Sequence, residues 1–229
     1  MSEAATGIVL IAVPILFNVT FLLLAQRFDY PDILRQPTSE VLDRFAQGGS
    51  ALILIWWAFA LSAVGFAALV VLLSLQLGDA GATTLTLAVL FGLLASIVQF
   101  LGLIRWPFLV PHLAREAQSA EPGSPRAETI DVVFQAFNRY LGVAVGEHLG
   151  YALTGAWSIF TGVALVQSDA FPGWLGVIGI VIGPAFLLSA LEFVGPFEPK
   201  GWELAGKLVP VAYIVWSLWL LALGVAVLT

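Results

Sequence analysis

Glu147 and His148 sit together in LGVAVGEHLGYALTGAWSIFTGVALVQ, a stretch otherwise apolar over a membrane-spanning length. A carboxylate surrounded by apolar residues needs a cation, a proton or water, and ionisable groups inside a bilayer are rare and costly. The pair therefore marks a functional interior. At about 100° per residue, Glu147, Tyr151, Thr154, Ser158 and Thr161 fall in one narrow helical stripe. Gly142, Gly146 and Gly150 form an adjacent ridge of small residues where another helix can come close. Thr154, Ser158 and Thr161 carry little weight alone, because hydroxyls inside a helix can bond their own backbone carbonyls.

Two other charged residues come to similar depth. Arg105 lies in LIRWPFLVPHL and Glu192 in LLSALEFVGPF, near the ends of two other apolar runs. An arginine–carboxylate pair is far less costly in a membrane than isolated charges. Arg105 is therefore expected to pair with Glu147 or Glu192 in a polar pocket. Tyr151, His148, Trp106, Thr154 and Ser158 would line it, with the single interior amides Asn18 and Gln99 as further lining or as interhelical hydrogen bonds.

Other chemistries find less support. His148 and His112 could in principle hold a haem axially, but they differ in depth and no second pair exists for transfer across the bilayer, so haem is disfavoured. HExxH, GxSxG and P-loop patterns are absent, and no metal site is expected. The chain has no cysteine, which removes disulfides, thiolate metal sites and cysteine nucleophiles together.

The elements that must position these residues follow from composition. Of 229 residues, 60% are hydrophobic and 10% charged, and the mean hydropathy is +0.98. Soluble domains are about one quarter charged, so the solvent here is lipid. Six apolar runs are long enough to cross a bilayer: 5–25, 50–75, 82–104, 141–166, 171–193 and 202–228. The expectation is an all-α, polytopic bundle of six transmembrane helices in a single integral-membrane domain over 1–229. Met1-Ser2-Glu3 lacks a basic segment, so the first run is expected to be retained as a span.

All nine basic residues fall in or beside odd-numbered loops, which by the positive-inside rule puts those loops in the cytoplasm and both termini outside. The polar pocket then lies on the cytoplasmic side. Loop one holds a short amphipathic helix with Val41, Leu42 and Phe45, capped by Thr38 or Ser39. Loop three breaks at EPGSPRAE, with Ser124 as N-cap and Pro125 at the first helical position, before an amphipathic segment carrying Ile130, Val133, Phe134 and Phe137. Both pieces are expected to lie along the inner membrane face. The turns at 77–81 and 168–173 are minimal. The fifth run carries Gly173, Gly176, Gly179 and Gly183 before Pro184, as a closely packed helix would. The net charge of −6 is spread over loops, and no basic run suggests nucleic acid.

Three segments, LIRWPFLVPHLA, VVFQAFNRYLGVAVGEHLGYALTGAW and FPGWLGVIGIVIG followed by Glu192, resemble a bacterial multi-pass membrane family known only as domain of unknown function 4386. The matching pattern falls on Arg105, Trp106, Pro107, Asn138, Gly142, Gly146, Glu147, Gly150, Phe171, Pro172, Trp174 and Gly176. The resemblance implies a six-span protein of the bacterial inner membrane and implies no activity. It adds weight to Arg105, Glu147 and Glu192 over the isolated polar residues.

The functional expectation is a protein that binds or transports a small polar or amphipathic molecule or an ion, with lipid and that ligand as partners. The alternative is a non-catalytic regulatory or interaction protein in which the ion pair only ties helices together. A membrane enzyme using Glu147 and His148 ranks third. The glycine ridges could pack within one chain or between copies in a homo-oligomer.

Overall fold

In a computed structural model describing residues 3–229, the chain is all helix and turn, without a strand among the described residues. The Met1-Ser2 start lies outside them. The helices are α1 (Glu3–Phe28), α2 (Thr38–Gln76), α3 (Ala82–Gln118), α4 (Pro125–Phe137), a π-helical segment (Asn138–Leu149), α5 (Gly150–Gln167), α6 (Gly173–Ser189) and α7 (Glu203–Leu228). The segment from α4 to α5 runs unbroken from Pro125 to Gln167.

Five helices are long and apolar enough to cross a bilayer, with α4 to α5 counted as one. The sixth apolar helix, α6, has 17 residues, a rise of about 26 Å that lies at the short end for a span. Its helix stops at Ser189, so Glu192 occupies the following turn rather than the helix itself. In contrast, α3 continues to Gln118, well past the apolar run, because Trp106, Val110, Leu113 and Ala114 keep a buried face on either side of Pro107 and Pro111. Large apolar side chains such as Leu54, Val181 and Leu218, each at least 60% exposed, cover the outside. Water would not tolerate that surface and lipid does.

Each helix packs on its neighbour in the chain: α1 on α2, α2 on α3, α3 on α5, α5 on α6, and α6 on α7. Contact between α7 and α1 closes the ring. Thin glycine surfaces set the tightest contacts. On the α5–α6 seam a Cβ at Gly155 would lie 2.7 Å from the Gly183 carbonyl oxygen, and one at Gly162 would lie 2.5 Å from that of Gly176. Such close backbone approach maximises dispersion, which drives helix association where lipid offers no hydrophobic gain.

Two apolar cores fill the ring. One, around Phe66, Trp157, Trp216 and Trp219, lies between the turns that join α2 to α3 and α5 to α6 on one side and the middle of the bundle on the other. The second contains Phe28, Phe45, Trp56, Trp106 and Phe134, with the Trp56 and Trp106 rings stacked at 4.3 Å between centroids.

The amphipathic helix expected in loop one is the start of α2. Gly49, at φ 55° and ψ −152°, breaks α2 there in a conformation that side-chain-bearing residues rarely adopt. Residues 38–48 then fold over the second core and bury Val41, Leu42 and Phe45. They meet α4, where the Thr38 hydroxyl donates to Asp131 and accepts from Gln135 Nε2 at 3.0 Å. The two amphipathic pieces bury Val41, Leu42 and Phe45 from the first and Ile130 and Phe134 from the second against the protein core, while Phe137 stays 43% exposed. Neither Thr38 nor Ser39 caps this helix, which follows Pro37 without a side-chain cap bond. Ser124 does cap α4, accepting from the Ala127 amide at 3.3 Å, with Pro125 at the first helical position.

Candidate functional site

The site is built where α3 crosses the π-helical segment. Gln99, Gly102 and Arg105 of α3 meet Gly150, Gly146 and Gly142 in turn. A Cβ on Gly102 would lie 2.7 Å from the Gly146 Cα, so the two backbones touch. The ridge expected to admit a neighbouring helix admits α3. Gly142 leaves space for the Arg105 guanidinium, whose Nη2 would lie 2.5 Å from a Cβ there.

Arg105 is 8% exposed and about 20 Å along the helix from the end of α3. Nη2 donates to Asn138 Oδ1 at 2.9 Å, Nη1 donates to the Gly102 carbonyl, and Cζ stands 5.2 Å from the centre of the Trp106 ring. Among the described residues it makes no ion pair within 4 Å. The expected pairing with Glu147 or Glu192 is therefore replaced by neutral acceptors and an aromatic face. The physical reason is local: Asn138 is one turn from Gly142, so it presents its oxygen beside the gap the guanidinium enters.

Glu147 lies near the end of the π-helical segment, partly buried. Its carboxylate makes no hydrogen bond or ion pair among the described residues. Arg105 and Glu192 lie within its electrostatic reach, as do the hydroxyls of Tyr30, Tyr151 and Tyr213. None of those three hydroxyls has a hydrogen-bond partner among the described residues. Tyr151 and Tyr213 are in ring contact at 5.8 Å. π-helical turns, wider than α-helical ones, are frequent at functional sites.

The other expected residues are placed as follows. His148 Nδ1 stands 2.7 Å from the Ala190 carbonyl oxygen, which can only accept, so Nδ1 carries the hydrogen and ties the π-helical segment to the end of α6. His112 is exposed on α3. Glu192 lies against the start of α7, where a Cβ on Gly206 would be 2.8 Å from Oε1, and its backbone carbonyl accepts from the Trp202 amide at 2.7 Å. Trp106 is stacked in the second core. Gln99 Nε2 donates to Thr154 Oγ1 at 2.9 Å, joining α3 to α5. Ser158 donates to the Thr154 carbonyl at 2.8 Å and is fully buried. Asn18 Nδ2 donates to the Pro14 carbonyl at 2.7 Å and to Ser217 Oγ at 2.9 Å, joining α1 to α7.

The site thus contains three residues that the sequence did not single out for it. Asn138 was visible only as part of a family pattern. Tyr30 and Tyr213 carry no local signal, since one follows α1 and the other lies within an ordinary apolar run. Their vicinity to Glu147 arises only from closure of the ring.

At the opposite end of the bundle the two minimal turns hold each other. Asp79 accepts from the Ser168 hydroxyl at 2.6 Å and from the Asp169 amide at 3.1 Å, and these bonds hold its carboxyl below the usual carboxylate range. Gly81 N–H donates to Gln167 Oε1 at 3.3 Å.

Long apolar helices, a lipid-compatible exterior and charged groups gathered within the ring define the class: an integral membrane helical bundle. The family model described as a domain of unknown function (DUF4386) matches residues 5–224, nearly the whole chain, and the protein belongs to that family. No curated protein and no solved structure matches the chain.

Proposed function

We propose that this is a six-span protein of the bacterial inner membrane that binds or carries a small cationic or amphipathic molecule, or a proton, at Glu147. Arg105 and Glu192 set the charge around that carboxylate. Cytoplasmic placement is supported by the nine basic residues, which all lie in the half of the ring where α1, α3 and α6 end and α2, α4 and α7 begin. In that orientation both termini are outside and α6, fifth in chain order, completes the six spans.

The observation that carries the reading is the division of labour between Arg105 and Glu147. A structural ion pair would close the guanidinium upon the carboxylate. Here the guanidinium is held by Asn138, the Gly102 carbonyl and Trp106, while the carboxylate keeps its oxygens free of protein donors. Leaving such a group unpartnered is costly, and sites that do so generally use it.

The experiment is labelling of membranes with dicyclohexylcarbodiimide, an apolar reagent for carboxyl groups. An adduct is expected on Glu147 and is lost in Glu147→Gln. That variant should melt within about 3 °C of the parent in detergent, since no partner is orphaned. Absence of an adduct on Glu147, together with a large fall in melting temperature of the variant, would overturn the proposal in favour of a structural carboxylate.

A further inference from the structure

The outer face of α3 carries a single stripe from the apolar belt to the rim of the bundle. Leu94, Ile97, Leu101 and Phe108 are exposed at helical spacing, and His112 and Arg115 continue the stripe one and two turns further, both exposed. Phe108, at the join, is 70% exposed. The apolar part belongs to the lipid-compatible exterior, and the basic part is its direct continuation.

Depth and direction agree. Arg115 stands about 10 Å beyond Phe108 along the helix, while the headgroup layer is about 5–8 Å deep on each side of a bilayer. Side chains on a helix lean towards its N-terminus, which for α3 is the opposite end of the bundle, so His112 and Arg115 lean back towards the membrane. Residues three apart on a helix are neighbours, which lets the imidazole and the guanidinium fork meet one phosphodiester.

The charge of Arg115 is also free. Five of the nine basic residues are paired with carboxylates, and Arg105 is buried. Arg115 has no carboxylate within 4 Å among the described residues, and the adjacent Glu116 is engaged by Arg126 of α4. Arg27 and Lys200 are likewise exposed and unpaired, but only Arg115 shares a helical stripe with a histidine.

We infer that His112 and Arg115 seat the headgroup of an anionic phospholipid whose acyl chains lie along Phe108, Leu101 and Ile97. Such a lipid carries its negative charge directly above its apolar chains, which is the order of chemistry along the stripe.

The test uses the full chain in phospholipid vesicles. The chain has no cysteine, so Leu101→Cys carries a single bimane label on the stripe, and Val181→Cys, on the exposed face of α6, carries a control label. Quenching is measured with phosphatidylglycerol and with phosphatidylcholine brominated on their acyl chains. Phosphatidylglycerol should be preferred about fivefold at Leu101 and scarcely at Val181. Combining His112→Gln with Arg115→Gln should remove the preference, while Lys207→Gln, which deletes a charge already paired with Glu203, should leave it. Equal quenching by the two lipids at Leu101, an equal preference at Val181, or a preference that survives the double substitution would each overturn the inference. Loss of the preference on adding inorganic phosphate at constant ionic strength would overturn it too, by assigning the pair to a soluble anion.

Discussion

Asn138 Oδ1 accepts a 2.9 Å hydrogen bond from Arg105 Nη2, and through it the π-helical segment solvates a charge carried by α3. A hydrogen bond to a buried charged group is worth more than one between neutral partners, and its loss leaves the charge under-satisfied. Asn138→Ala should therefore lower stability by about 2 kcal/mol, read as a fall in melting temperature in detergent. Asn138→Asp, which keeps an acceptor at the same place, should restore most of it. An Asn138→Ala variant as stable as the parent would show that the bond carries no weight.

The crossing of α3 on the π-helical segment has no room for a methyl group. Gly102→Ala places a Cβ 2.7 Å from the Gly146 Cα, and backbone cannot rotate away as a side chain can. Overpacking of this kind costs about 1–3 kcal/mol. Gly78→Ala is the control, because a Cβ there meets nothing within 4 Å. Thermal melting should separate the two variants clearly. Equal melting temperatures would argue against the close crossing.

Gly49 folds residues 38–48 back over the aromatic core. At φ 55° any side chain is strained, so Gly49→Ala should cost about 1–3 kcal/mol. The loss should be concentrated in that region. Amide exchange of residues 38–48 should accelerate while the turn between α5 and α6 stays protected. Uniform acceleration would contradict the hinge.

The link between the two short turns should depend on pH. Asp79 titrates below the ordinary carboxylate range because the Ser168 hydroxyl, first, and the Asp169 amide favour its charged form. A depressed value means that the carboxylate stabilises the folded state above its unfolded value of about 3.9, and that this stabilisation fades as pH falls through the lower folded value. Asp79→Asn should thus melt below the parent at pH 6 and converge with it towards pH 3. A difference that persists undiminished at pH 3 would exclude the linkage.

The six apolar runs could be read from hydropathy because lipid imposes a minimum length of apolar helix on any span. The Ser124 cap and the glycine ridge were equally legible, as both depend on residues close in sequence. Helix ends were less so. Hydropathy marks where lipid is, and α3 continues beyond it because Trp106, Val110 and Leu113 find cover in protein instead. The docking of residues 38–48 on α4 has the same origin, since an amphipathic face does not say whether lipid or protein will cover it. At the site, Glu147 and Arg105 announced themselves by being charged among apolar residues. Their relationship did not, because the π-helical register and the acceptors on Asn138 and Gly102 decide it, and none of these has a hydropathy signature. Tyr30 and Tyr213 are 183 positions apart in sequence, and only the closed ring makes them neighbours of one carboxylate.

Closure of the ring through α1 and α7 also fixes an order of events in biosynthesis. Leu10 and Gly7 of α1 pack on Gly224 and Leu228 of α7, so α1, made before α7, waits for it before its inner face is covered. Asn18 likewise waits for Ser217. During that interval a polar amide and a thin glycine surface stand open to lipid or to the insertion machinery. The inner face of α1 therefore stays uncovered until α7 packs on it. Tyr213 is carried on α7 too, so its ring meets Phe17 of α1 and Tyr151 of α5 only when that helix packs.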